Sequence, residues 1–303
     1  MQAILDKITQ KAGVDLVQLL ADQLTGSELN SLLLEVFQRK TAQMKPADLL
    51  RQYSTNRFVQ PAEADVLQLR SQELHALHVL KELAFAPIAL SPVSLLGTSA
   101  VLGTVNQKKI ISATRGTEVL SDATNAMAIH IASQQKQHPD QQTVKYCTTH
   151  RHVRTPPVEI KGYSPHFAIA CCVSAGMDTG SYAFEINAVI DHFHAIQRVL
   201  REVFGVAVSY FKLQPRTGYP QQEHLLSAIT EATRAQFPVT IDKDASPNAY
   251  YQGIQYKAII DHQGMEIAIA DGGFVNWTQQ LLENKKARYF ISGLGTEYLS
   301  KLQ

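Results

Sequence analysis

The sequence is short of several features that mark common protein classes. It has three cysteines, Cys147, Cys171 and Cys172. An odd count without regular spacing argues against a disulfide framework and points to a reducing, cytoplasmic setting. Cys171 and Cys172 sit inside the apolar run from Phe167 to Val173 and read as small core residues. No apolar stretch approaches the roughly 20 residues of a membrane span. The N-terminal MQAILDKITQKAG carries Asp6 and lacks the unbroken apolar centre of a signal peptide. No run of five Lys or Arg occurs, and 28 basic residues against 27 acidic ones leave a net charge of +1. That balance gives no electrostatic argument for a nucleic-acid partner. Neither GxGxxG nor GxxxxGK[ST] is present, so the commonest phosphate-cradling loops are excluded.

What is there is 45% hydrophobic over 303 residues, enough to bury a sizeable core. Residues 1–44 read as an accessory segment of two helices, broken at Thr25-Gly26-Ser27 with Ser27 as N-cap. This hairpin either stands apart or packs into the main core. Residues 45–303 read as one domain, opened by Pro46 in a first helical turn. Apolar periodicity predicts a helix over 61–84, then strands near 100–105, 109–114 and 116–120. Asp122 caps a helix to 135, and QQKQHPDQQ is a loop. Strands follow at 143–153 and 166–174, with a strongly amphipathic helix over 185–204. The last third gives strand 206–213, helix 221–235, strands 252–261 and 264–271, helix 274–284, strand 288–292 and helix 294–302. Long helices between hairpin-linked strands predict an α+β fold with an antiparallel sheet.

Three ordered segments resemble the catalytic core of class II aminoacyl-tRNA synthetases. The similarity is to histidyl-tRNA synthetase and, equally, to the regulatory subunit of ATP phosphoribosyltransferase. Helix 61–85 and Phe85-Ala86-Pro87-Ile88-Ala89-Leu90-Ser91-Pro92 resemble the dimer motif, which implies a homodimer through 61–92. Leu120-Ser121-Asp122-Ala123-Thr124 is similar to the family's Leu-Arg-Pro-(Asp/Glu)-x-Thr element, which implies that Asp122 and Thr124 face an amino-acid pocket. Thr149-His150-Arg151-His152-Val153-Arg154-Thr155-Pro156 resembles motif 2, which implies phosphate contacts for Arg151 and Arg154. Val153 stands where a Glu is usual, and Lys161-Gly162-Tyr163 replaces Gly-Arg-Tyr-Arg. The Gln and Glu that read histidine fall near Ile169 and Val173.

The third segment is Asn248-Ala249-Tyr250-Tyr251-Gln252-Gly253, similar to the family's Tyr-Tyr-Thr-Gly strand. Ser246-Pro247-Asn248 lacks the arginine that precedes it in the synthetases. Ala270-Asp271-Gly272-Gly273-Phe274 resembles Ala-Gly-Gly-Gly-Arg, and its glycines are expected to let backbone approach a ligand closely. Ser292 to Leu299 resembles motif 3, with Tyr298 in the place of an arginine. The chain stops after this motif, so the resemblance implies no anticodon-binding domain, and tRNA is not an expected partner.

Adenylate formation needs fixed positive charge facing a triphosphate, with Mg²⁺ held by acids. Of three expected arginines only Arg151 is retained. The expected function is therefore a catalytically inactive histidyl-tRNA synthetase-like paralogue, a dimer that binds a small-molecule ligand or a protein partner, with no cofactor. The alternative is an ATP- and Mg-dependent adenylate-forming enzyme acting on a non-tRNA acceptor. The expected ligand pocket comprises Asp122, Thr124, Tyr250, Tyr251, Glu266, Asp271, Gly272 and Gly273. Alternation along a strand would put Tyr250 and Tyr251 on opposite sides. His150, His152 and His166 invite a zinc reading, but no third ligand has recognisable spacing. His192 and His194 read as surface and rim residues.

Overall fold

The computed structural model describes residues 1–138, 143–156, 164–244, 246 and 248–303. Lys161, Gly162, Tyr163 and Pro247 lie outside the described residues.

The chain opens with α1 (Gln2–Ala12), a short α2 (Leu16–Gln18) continued by a π-turn, α3 (Gly26–Thr41) and α4 (Pro46–Thr55). The expected first helix is split, because Gly13 ends α1 in the left-handed region and Asp15 caps the next turn. The cap of α3 is Thr25, not Ser27: Thr25 and Glu28 form a reciprocal capping box. None of these helices has a buried residue, and the first buried side chain in the chain is Leu69. The segment therefore does not enter the main core.

The body follows as α5 (Val66–Glu82), β1 (Ala86–Pro87), β2 (Val93–Leu95), α6 (Thr98–Val101), β3 (Thr117–Val119) and α7 (Ala123–Gln137). Next come β4 (Val144–Val153), β5 (His166–Met177), α8 (Ala183–Phe204), β6 (Tyr210–Pro215), α9 (Gln222–Arg234) and β7 (Val239–Ile241). The chain closes with β8 (Gln252–His262), β9 (Met265–Phe274), α10 (Trp277–Leu282), β10 (Ala287–Leu294) and α11 (Thr296–Leu302). Eight strands form one sheet in the order β1-β4-β5-β10-β9-β8-β6-β7. Only the two outermost pairings are parallel; the five between them are antiparallel. This is the expected α+β architecture.

Each face of the sheet is covered. On one side α5 and α8 pack with Phe193, Phe211, Tyr256 and Phe290. Phe193 and Phe211 stack at 3.8 Å, an aromatic pair worth about 0.5–1.5 kcal/mol beyond its burial. On the other side α7 and α10 cover Val173, Tyr289 and Ile291 with Met127 and Trp277.

The strands expected at 100–105 and 109–114 do not form. Residues Thr98–Val101 are helical, and 107–109 make a single 3₁₀ turn. The cause is Glu118 on β3, which is completely buried. Its carboxylate accepts hydrogen bonds from the Gly97 and Ser99 N–H groups, the Ser99 hydroxyl and Gln107 Nε2, at 2.8–2.9 Å. Burial pushes this carboxyl up, but the donors outweigh it and the net shift is downward. The segment is thus hung on one anion instead of pairing as a sheet.

Candidate functional site

The site lies on the α7 face of the sheet, where 97–110 arches over the ends of β9 and β10. It is a cleft of about 350 Å³. Asp122, Thr124, Tyr250, Tyr251, Asp271 and Arg154 all line it. Asp122 caps α7, accepting from Thr124 N at 2.9 Å and Thr124 Oγ1 at 2.6 Å. Its second oxygen accepts the Tyr250 hydroxyl proton. Tyr289 donates to the Thr124 carbonyl at 2.9 Å and ties this corner to β10.

Tyr250 and Tyr251 both line the cleft, instead of alternating across a strand. They lie in the bend before β8, where period-two geometry does not apply, and their rings meet edge-on at 4.8 Å. Burial pushes both phenols well above their ordinary range, reinforced by Asp122 at Tyr250 and by Asp271 at Tyr251. Asp271 lines the cleft at its open side and accepts a hydrogen bond from the Tyr251 hydroxyl. Burial raises its pKa, Asp122 adds to the rise, and Arg154 opposes it. The cleft thus carries two carboxylates, Asp122 and Asp271, and two exposed cations among its described lining residues, Lys109 and Arg154.

Four expected site residues do other work. Arg151 is not among the residues lining the cleft. In the β4–β5 register, His150 pairs with Ile169 and Arg151 with Ala168. Ile169 belongs to the cleft, so Arg151 points through to the opposite face. There it pairs with Glu297 at 2.8 Å and bonds His166 Nδ1 at 2.9 Å. Glu266 is at the far end of β9, exposed, accepting from the Tyr210 hydroxyl at 2.9 Å. Gly272 and Gly273 serve packing within the protein. A Cβ at Gly272 would sit 2.2 Å from the Ile291 carbonyl oxygen, and one at Gly273 would sit 2.5 Å from that of Ile254.

Two site residues escaped the sequence reading. His152 is 1% exposed and lines the cleft, with Nε2 accepting the Ala123 N–H at 3.0 Å. Its signal was the alternation of β4, which puts His150 and His152 on the face that Ile169 shares with the cleft. Among the described residues no group of three or more metal-ligating side chains forms. Arg216, directly after β6, is also buried. It lines a neighbouring cavity of about 720 Å³ that shares Val105, Asn248 and Tyr250 with the cleft. Its donors go to Gln255, Gln214 and the Ser246 carbonyl, at 2.7–3.1 Å. Its guanidinium therefore stands beside the loop where the sequence lacks an arginine. His192, expected at the surface, is fully buried between Ser174 and Ser292.

Chemically, the described lining sets two carboxylates against two exposed cations, and Arg151, the expected phosphate contact, is not among them. The one thiol in the cleft, Cys171, is pushed far up by burial and is no nucleophile at neutral pH. No helix is long and apolar enough to cross a membrane among the described residues.

No family model and no curated protein matches the sequence. Solved structures do match the fold. An ATP phosphoribosyltransferase regulatory subunit/histidyl-tRNA synthetase from Bacillus halodurans aligns with TM-score 0.60 and 9% identity, covering 82% of each chain. The apo histidyl-tRNA synthetase of S. aureus gives 0.61 and 12%, over 80% of this chain and 70% of that one. A structure described as the RNA-binding domain of threonyl-tRNA synthetase from Cryptosporidium parvum gives 0.60 and 7%, over 78% and 63%. The chain has the class II synthetase-like fold, and at these identities the likeness concerns the fold alone.

Proposed function

We propose that this protein is a histidyl-tRNA synthetase-like paralogue that binds a small ligand and makes no aminoacyl-adenylate. The observation that carries the reading is the position of Arg151. The guanidinium that should fork onto the α-phosphate is held on the wrong face of β4 by Glu297. Asp122 and Asp271 line the cleft in its stead, and the two cations beside them, Lys109 and Arg154, are exposed and not held in a fixed fork. Losing one preorganised charge of this kind costs about 3–4 kcal/mol of transition-state stabilisation.

The competing reading is an ATP-dependent ligase acting on a non-tRNA acceptor. It would need Lys109 and Arg154 of the cleft, with Arg216 and Lys257 of the neighbouring cavity, as its cations. Arg216 already makes four hydrogen bonds within the protein, and Arg154 is exposed at the rim. ATP–pyrophosphate exchange decides between them. No exchange is expected with any of the standard amino acids, and exchange above background with one of them overturns the reading.

The same proposal includes a homodimer through the 61–92 element. The 61–92 element and the turn after it expose Leu67, Leu74, Leu95 and Leu96, each at least half open to solvent. Such a set is typical of a surface covered by a second subunit.

A further inference from the structure

Twelve of the twenty large hydrophobic side chains exposed among the described residues lie in the first 59 positions, so it is the N-terminal arm that lacks cover. Its helices of 11, 16 and 10 residues are short enough to depend on packing for their stability. Along α3, Glu28, Leu32, Val36 and Lys40 recur every four residues and form one row, exposed from end to end. Leu32 is 41% and Val36 40% open to solvent. The row is acidic at the N-terminal end of the helix and basic at the other. Neither α1 nor α4 has an apolar row closed by opposite charges.

Such a row is complementary to itself. Turned antiparallel about a two-fold axis level with Leu34, it sets Glu28 against the partner's Lys40 and Leu32 against the partner's Val36, and the symmetry repeats both contacts. A parallel pairing would oppose like charges instead. The Thr25 cap takes only Oε2 of Glu28, which leaves Oε1 for a second chain.

The attachment of α3 agrees with this. Asn30 lies about 160° around the helix from Leu32 and accepts the Arg115 N–H. The next residue, Gly116, accepts the Leu96 N–H at 2.9 Å, and Thr117 pairs with Leu95 in the β2–β3 ladder. The far side of α3 is thus moored to the hairpin that carries Leu95 and Leu96, at the margin of the apolar patch offered to a second subunit, while the Leu32 row faces away from the body.

We propose that α3 pairs antiparallel with α3 of a second copy of this chain, through Leu32 and Val36 flanked by Glu28–Lys40 ion pairs. The inference rests on the homodimer reading and adds a second contact to that assembly. One helix pair falls well short of the roughly 1,200 Å² of a stable interface, so α3 does not hold two chains together by itself. Inside a dimer the two helices meet at high effective concentration, and their pairing tightens the assembly.

The test is disulfide trapping of the full chain in a glutathione redox buffer. A Leu32→Cys chain mixed with a Val36→Cys chain is expected to give a covalent dimer, and more of it than either chain alone. Only the opposed pair meets the Cα separation of under about 7 Å that a disulfide requires. Gln38→Cys, exposed on another side of α3, is expected to run as a monomer on a non-reducing gel, as is the parent chain with its three buried cysteines. In sedimentation equilibrium Lys40→Glu is expected to weaken the dimer about three-fold or more at low salt. That difference is expected to vanish near 1 M salt, where the screening length is about 3 Å. A wild-type monomer removes the dimer reading and this inference with it. With a wild-type dimer, three results overturn this inference alone: no cross-link in the mixture, an equal cross-link through Gln38→Cys, or a Lys40→Glu dimer as tight as wild type at low salt.

Discussion

Arg151 and Arg154 are three residues apart and face different worlds. Arg151 neutralises Glu297, whose side chain is almost fully buried and also receives the Ala168 N–H and Lys301. Arg151→Ala should lower stability by about 1–3 kcal/mol, since it strips one partner from a buried carboxylate. A fall in the urea midpoint is the expected pattern. Arg154→Ala should leave the midpoint within about 0.5 kcal/mol, because its side chain is exposed. Motif similarity named both residues but could not separate them. Which face a strand residue takes depends on register, and a one-residue slip reverses it.

Burial of two neutral histidines also sets a pH dependence. It holds His152 near pKa 4, with Asp122 pulling the other way, and His192 near 3, with Lys145 pushing further down. In the unfolded chain both titrate near 6.5. Between those values the unfolded state binds more protons, so stability rises with pH there. Stability should therefore be full above about pH 6.5 and fall on acidification by up to about 1.4 kcal/mol per pH unit for each ring. Urea titrations at pH 7, 6 and 5 would read the slope, and a flat profile would contradict the burial of these rings. His192 lies on the buried stripe of α8 with Val189, Phe193, Ile196 and Val199, about 200° around the helix from His194.

At the level of elements, periodicity made most of the body legible. Helices α5, α7, α8 and α9 and the strands β4, β5, β8, β9 and β10 fall near their expected bounds. The stretch 97–114 did not, because its conformation follows a distant carboxylate and not its own pattern. The glycines of β9 were legible as special but not for the right reason. Gly272→Ala should destabilise by roughly 1–3 kcal/mol or more, since the new methyl meets the Ile291 backbone, which cannot rotate away. A thermal melt of that variant checks it, and an unchanged midpoint would mean that β9 and β10 lie further apart.

Over the whole molecule, the sequence announced hairpin-linked strands and long helices, and hence the fold class. It could not give the strand order, because β1 and β7 join the sheet edges through contacts between residues far apart in the chain. Nor did it show that residues 1–55 would contribute nothing buried. The expected assembly is testable at this scale. Leu67→Glu combined with Leu95→Glu should convert a dimer into a monomer in sedimentation velocity while leaving the far-ultraviolet spectrum unchanged, since both side chains are exposed in the isolated chain. A wild-type monomer at micromolar concentration would remove the dimer proposal.

Glu118 stands behind the cleft and offers nothing to its floor. Yet Ser99, which lines the cleft, and the turn leading to Lys109 and Ile110, which also line it, are suspended from its two oxygens. The width of the entrance is therefore chosen from the rear. Substitutions at Glu118 or Gln107 can retune the entrance while Asp122 and Asp271 stay untouched, so the shape of the opening in this scaffold is free to drift separately from the charges inside it.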